Sequence, residues 1–160
     1  MASDYLLELD GIKGESSDAK HKETIEISSF SWGVSNPGSF ASGGGGGTGK
    51  ASFSDLSLMT QSCKASPELF KACATGKHIK KATLFVRKSG GEQGDFYVIK
   101  LEDVLVSSFS VSGSDGSNAL PMESLSLNFA KIEFNYSPQK PEGGLDAPVI
   151  AKYNLKENKA

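Results

Sequence analysis

The sequence predicts a mainly β fold with one short helix, and three observations carry that reading. Apolar residues alternate with polar ones in six separate runs, the period of half-buried strands. Turn-forming residues punctuate those runs: 18 Gly and 24 Ser in 160 residues favour many turns and short strands over long helices. Only one stretch, 66–76, carries the start and stop signals of a helix.

The first strand signal is Ile25 and Ile27, followed by Phe30, Trp32 and Val34 on the opposite parity. An inserted residue sends later side chains to the other face, so these two runs predict one long, bulged strand that bends between sheets or around a barrel corner. Asn36-Pro37-Gly38 ends it. Ser66 as N-cap, Pro67 at the first helical position and Gly76 as the stop define the helix. Leu69, Phe70, Cys73 and Ala74 are expected on its packed face, with Lys71 pointing away. Leu84 and Val86 open the next strand, and Gly90 to Gly94 turn it into a hairpin. Phe109 and Val111 follow, then a turn over Gly113 to Asn118. The last run, Leu125, Leu127 and Phe129 continuing at Ile132, Phe134 and Tyr136, changes parity midway and is read as a second long, bulged strand that bends. From Pro138 the chain turns polar, and 138–160 is expected to be a loosely held tail.

Length and charge bound the function. A chain of 160 residues fits one domain with a single core. The net charge of −2 gives no electrostatic reason for nucleic acid or membrane partners, and Arg87 is the one arginine among 17 basic residues. No apolar run reaches 18 residues, so no helical span is expected, and the N-terminal stretch lacks the pattern of a secretion signal. Cys63 and Cys73 do not make a disulfide framework, and a helix between them holds them too far apart to bridge. His21 and His78 stand alone, without partners at metal-ligand spacing. His21, between two lysines, reads as a solvated loop residue, and His78 as a complement to the last helix carbonyls. No nucleophile elbow or marked carboxylate pair is present, so no catalytic, cofactor or metal site is assigned.

The run Gly43-Gly44-Gly45-Gly46-Gly47-Thr48-Gly49-Lys50 imitates a phosphate-binding loop. Such a loop needs a helix to start within it and a hydroxyl after the lysine. Here position 51 is Ala, and Ala51 to Leu58 reads as extended chain. The nucleotide reading therefore fails. What remains is a loop of some sixteen residues, about 35–50, long for a compact domain. It is either a loose surface loop or one ordered by a partner that supplies hydrogen bonds, offsetting the entropy lost by its glycines.

Two further patterns stand out. Residues 96–106 are apolar on both parities, so the second face of that strand needs cover from the helix or from another subunit. Serine alternates with apolar residues in SFSWGVS (29–35), SFSDLSL (52–58), SFSVSGS (108–114) and SLSLN (124–128). Serine is either tolerated at those outward positions or makes a wet surface that does not grip charged objects. A monomeric β-sandwich binding module is the competing class; its signs, a concave aromatic patch or calcium-type carboxylate clusters, are not evident.

These pieces resemble the haemolysin-coregulated protein (Hcp) family, the tube subunit of bacterial type VI secretion. The resemblance rests on DGIKGES (10–16), HK (21–22), SFSWGVSN (29–36), GGGGGTGKASFSDLSL (43–58), ASPELFKACATGKHI (65–79), LEDVLVSSFSVSG (101–113) and SLSLNFAKIEFNYSPQ (124–139), in family order over nearly the whole chain. It implies a single 1–160 domain, a two-sheet β-barrel with a short flanking α-helix and a long extended loop, assembled as a homohexameric ring. It further implies stacked rings inside a contractile sheath, a VgrG-type spike at the tip, and small effector proteins in the lumen. The subunit would assemble in the cytoplasm and leave through the machine itself without a signal peptide. Strand parity, if Phe30 and Trp32 face the core, turns Ser31 and with it Ser29 toward that lumen. The loop Gly43–Lys50 is then expected to reach an adjacent ring.

Overall fold

The structure is a computed structural model that describes residues 3–38, 50–88, 94–116 and 120–160. Its strands are β1 (Ser3–Leu9), β2 (Ile25–Ile27), β3 (Ser29–Ser31), β4 (Val34–Ser35), β5 (Ser52–Phe53), β6 (Leu56–Gln61), β7 (His78–Lys88), β8 (Asp95–Ser112), β9 (Met122–Tyr136) and β10 (Val149–Asn154). The helix α1 spans Ser66–Thr75, between β6 and β7. One antiparallel sheet runs β2-β1-β7-β8-β9-β6-β3, with β10 joined to β9, and β4-β5 form a small second sheet. The two ends of that path, β2 and β3, are consecutive in the chain. Thr60 of β6 donates its hydroxyl to the Glu26 carbonyl of β2, so the sheet curls until its ends meet and forms a nearly closed barrel.

The parity change at Ile27/Phe30 is therefore a step between two short strands at opposite ends of the sheet, not a bulge in one long strand. The change at Phe129/Ile132 is a bend inside one continuous strand, as expected, but not a bulge: the pairing with β8 keeps its register from Leu101–Ile132 to Val104–Phe129, and the neighbouring strands bend with it. On one side of the crease Ile79, Val104 and Phe129 are paired in a row, and on the other Ala82, Leu101 and Ile132. All six are buried. Between them Asp103 takes φ 55°, a conformation that L-residues rarely adopt. A second irregularity at Ser107 bends β8 again. The crease keeps the apolar side of all three strands on the inside while the sheet changes direction.

The core fills the barrel: Leu7, Leu84 and Ile99 form one cross-strand row, and Leu58 and Leu125 with half-buried Phe30 and Phe109 another. Helix α1 caps it, packing on β8 with Leu69 and Ala72 buried and Cys73 against the core. Gly76 ends the helix at φ 64°, and the N–H groups of Gly76 and Lys77 satisfy the Cys73 and Ala72 carbonyls. Two details differ from expectation. The N-cap is Ala65, because the Ser66 hydroxyl is used elsewhere: it accepts from the Cys63 N–H and donates to Glu123. Glu123 is buried and also accepts from Ser62, so its carboxylate ties the start of the helix to β9. And the packed face is Ala65, Leu69, Ala72 and Cys73, leaving Phe70 62% exposed and Ala74 in solvent.

The segment after Pro138 carries a strand, Val149–Asn154, and is not a loose tail there. β6 pairs with β9 only as far as Leu127, which leaves the edge of residues 131–136 open, and β10 fills it in register from Val149–Tyr136 to Asn154–Lys131. Tyr153 stacks obliquely on Phe53 with ring centroids 5.2 Å apart. His21 is likewise anchored rather than solvated. Its ring stacks on Phe85 at 4.0 Å and its Nε2 lies 2.9 Å from Asp95. The neighbouring Asp18 takes a hydrogen bond from Arg87. This segment supplies part of the cover sought for 96–106: Leu6, Phe85 and Val98 form one outward row, and His21 covers Phe85. His78 bonds Asp103 at 2.9 Å, not the helix carbonyls. Cys63 and Cys73 are free thiols.

Candidate functional site

The distal half of the barrel wall is a four-stranded sheet, β3-β6-β9-β8, and it brings together all four serine-alternating segments. Its inward row is Phe30, Leu58, Leu125 and Phe109. Because strand side chains alternate, the residues between point outward. One outward row is Ser31, Ser57, Ser126 and Ser108; the next is Ser29, Met59, Ser124 and Ser110. A third, Gln61, Met122 and Ser112, continues it across three strands. None of these eleven side chains is ionisable. Ser126 holds both Ser108 and Ser107 within 2.7 Å, so the hydroxyls partly satisfy one another across the strands. Asp55 stands at the margin and accepts from Ser107 and Asn128.

Past the crease the outward face changes character. There the rows are Thr83, Lys100, Glu133 and Lys152, then Lys81, Glu102, Lys131 and Asn154. Lys100 and Lys152 lie 3.5 and 3.4 Å from Glu133, and Lys131 lies 3.7 Å from Glu102. Burial works to raise the Glu133 pKa, but the Asn135 hydrogen bond and the two lysines outweigh it and hold the carboxyl below its ordinary value. The same two strands thus present a neutral hydroxyl surface on one half and an alternating charge ladder on the other.

The serine sheet also has two open edges among the described residues. β3 pairs only with β6, and β8 beyond Leu105, where β7 begins, pairs only with β9. Unpaired edges carry a row of backbone donors and acceptors that a further strand can use.

Ser31 and Ser29 are both exposed and lie on this face, opposite Phe30. Sequence reasoning noted the other serines but did not place Ser57, Ser108, Ser110, Ser124, Ser126 and Met59 beside them. Only strand order and register do that. Of the glycine-loop candidates, Gly43, Gly44, Gly45, Gly46, Gly47, Thr48 and Gly49 lie outside the described residues. Lys50 is described and exposed, and the base of the loop is held by the β4-β5 pairs Val34–Phe53 and Ser35–Ser52. The chain after Lys50 is extended, as the rejection of a phosphate loop required. Among the described residues no cluster of three His, Cys, Asp or Glu is arranged to hold a metal ion.

A model of the type VI secretion system effector Hcp family matches residues 6–136. The chain belongs to the Hcp family. Protein hcp1 of Pseudomonas aeruginosa is 44% identical over 160 residues, covering 99% of this chain and 98% of its own. The fold agrees with solved structures: a type six secretion system protein has a TM-score of 0.92 at 32% identity, covering 99% of both chains. Hcp1 from Salmonella typhimurium has 0.81 at 35% identity over the same shares. Membership of Hcp makes this a type VI secretion tube protein, of a family that is structural and secreted. Among the described residues no helix is long and apolar enough to cross a membrane.

Proposed function

We propose that this Hcp protein closes into six-membered rings that stack into a tube, with the serine sheet lining the bore and effector proteins carried against it. The observation that carries the reading is that sheet: uncharged on its outward face and bounded by two open strand edges. A head-to-tail ring needs two different complementary surfaces on each subunit, and the β3 and β8 edges supply such a pair. Four strands from each of six copies, at about 4.8 Å per strand, give a wall of about 115 Å and a bore of about 37 Å between backbones, which strand tilt widens. That is room for a small folded protein.

The mechanism is physical. A bore lined by hydroxyls wets and hydrogen-bonds its cargo without the strong, sign-selective hold of lysines and glutamates, so cargo of either charge enters and leaves. Six identical contacts around the bore raise the retention of a weakly held cargo. The charge ladder faces away from the bore, where a contractile sheath would surround the tube, and a VgrG-type spike would close its tip. The loop Gly43–Lys50 docks on the next ring. Export through the machine carries the subunit out with its cargo.

Ser31→Gln tests the lining directly. A longer amide at the centre of the face is expected to leave the ring mass unchanged and reduce binding of a co-expressed effector at least tenfold. Full cargo binding by intact Ser31→Gln rings would refute the placement of Ser31 in the cargo site.

A further inference from the structure

Phe70 is the one phenylalanine among the described residues that stands mostly in solvent. With Pro67 and Ala74, also exposed, it makes an apolar stripe at i, i+3 and i+7 along the outer side of α1. The helix is therefore apolar on two sides, and only one of them is packed in the single chain. On a different part of the surface, a groove of about 160 Å³ is lined by Trp32, Val34, Phe53, Phe134, Ala151 and Tyr153. Its charged lining residue, Lys152, is occupied by Glu133 at 3.4 Å, and the Trp32 indole N–H already donates to the Tyr97 hydroxyl. What the groove offers is apolar surface, with Val34 of its lining 54% exposed.

We propose that Phe70 of one copy inserts into this groove of the next copy around the ring. Size supports the match: an apolar cavity of roughly 150 Å³ holds one benzene ring. Position supports it as well. Trp32 and Val34 follow directly from β3, while α1 packs on β8, so groove and stripe lie on the same two sides as the open edges of the serine sheet. When the β3 edge of one copy meets the β8 edge of another, the groove and Phe70 are brought to the same junction. Knob and groove differ from each other, so the contact is head-to-tail and propagates around a ring. The inference rests on the ring proposed above and names the side chains that close it.

Two variants and their mixture test it, in the full-length protein. Phe70→Glu removes the knob, and Ala151→Trp fills the groove; both positions are exposed, so the fold is expected to survive, checked by near-ultraviolet circular dichroism and the thermal midpoint. Each variant alone is expected to need at least tenfold more protein than the native chain to form rings in analytical ultracentrifugation. Mixed in equal amounts they keep one knob and one groove between them, and a 1:1 heterodimer is expected. The native chain is run first: a monomer there removes the ring itself and the proposal with it. Native rings with unaltered rings of Phe70→Glu would overturn the knob alone and leave the ring standing. So would a mixture that stays monomeric, or an Ala151→Trp variant that forms rings and fails only to stack them.

Discussion

Arg87 is the chain's one arginine, and its guanidinium is buried beside Asp18, with Asp4 3.6 Å away. The hydrogen bond from Arg87 holds the Asp18 carboxyl below its ordinary value, against the desolvation that pushes it up. A depressed carboxylate stabilises the fold above its unfolded pKa of about 3.9, and that contribution is lost as the pH falls through the folded value. Asp18→Asn is thus expected to cost about 2 kcal/mol in urea unfolding at neutral pH, with the gap to the native chain closing as the pH drops below about 4. A gap that does not change with pH would contradict the pairing. Gly14 is a second sensitive position. A Cβ there would stand 2.4 Å from the Thr24 carbonyl oxygen and 2.8 Å from the Ile25 Cα, backbone atoms that cannot swing away. Gly14→Ala is expected to destabilise by about 2 kcal/mol or more by overpacking, read as a lowered thermal midpoint. At this scale the sequence was only partly informative. The parity of Ser31 was legible, but the anchoring of His21 was not, because Phe85 and Asp95 are far away in the chain and nothing local announces them.

Among the elements, β7, β8 and β9 and the helix with its Gly76 stop could be read from period and punctuation, because those signals are local. β10 could not. Its strand character comes from the free edge that β9 offers beyond Leu127, a fact of pairing and not of composition. The helix face was misassigned at Phe70 and Ala74 for an instructive reason: periodicity reports that a side chain is apolar, not which molecule covers it. The glycine loop belongs to this scale too. Deleting Gly43 to Gly47 is expected to leave ring mass unchanged and to abolish or strongly shorten stacked tubes in negative-stain images. Tubes of ordinary length would remove the loop from the stacking contact.

For the whole molecule, the crease at Asp103 is the organising feature. It turns one continuous sheet into two walls, and the outward chemistry changes across it from hydroxyls to alternating charge. The serine runs were visible in the sequence as four unrelated segments. Their meeting on one face required the order β3-β6-β9-β8, which no local pattern encodes. That face faces a bore only if the subunit closes into a ring. Native mass by light scattering at two concentrations, followed by negative-stain imaging, tests this most directly. Six copies of a 16.9 kDa chain give a particle of about 101 kDa with a central hole, and this is the result expected at both concentrations. A monomer at both would contradict the ring, and with it the assignment of the serine face to the lumen.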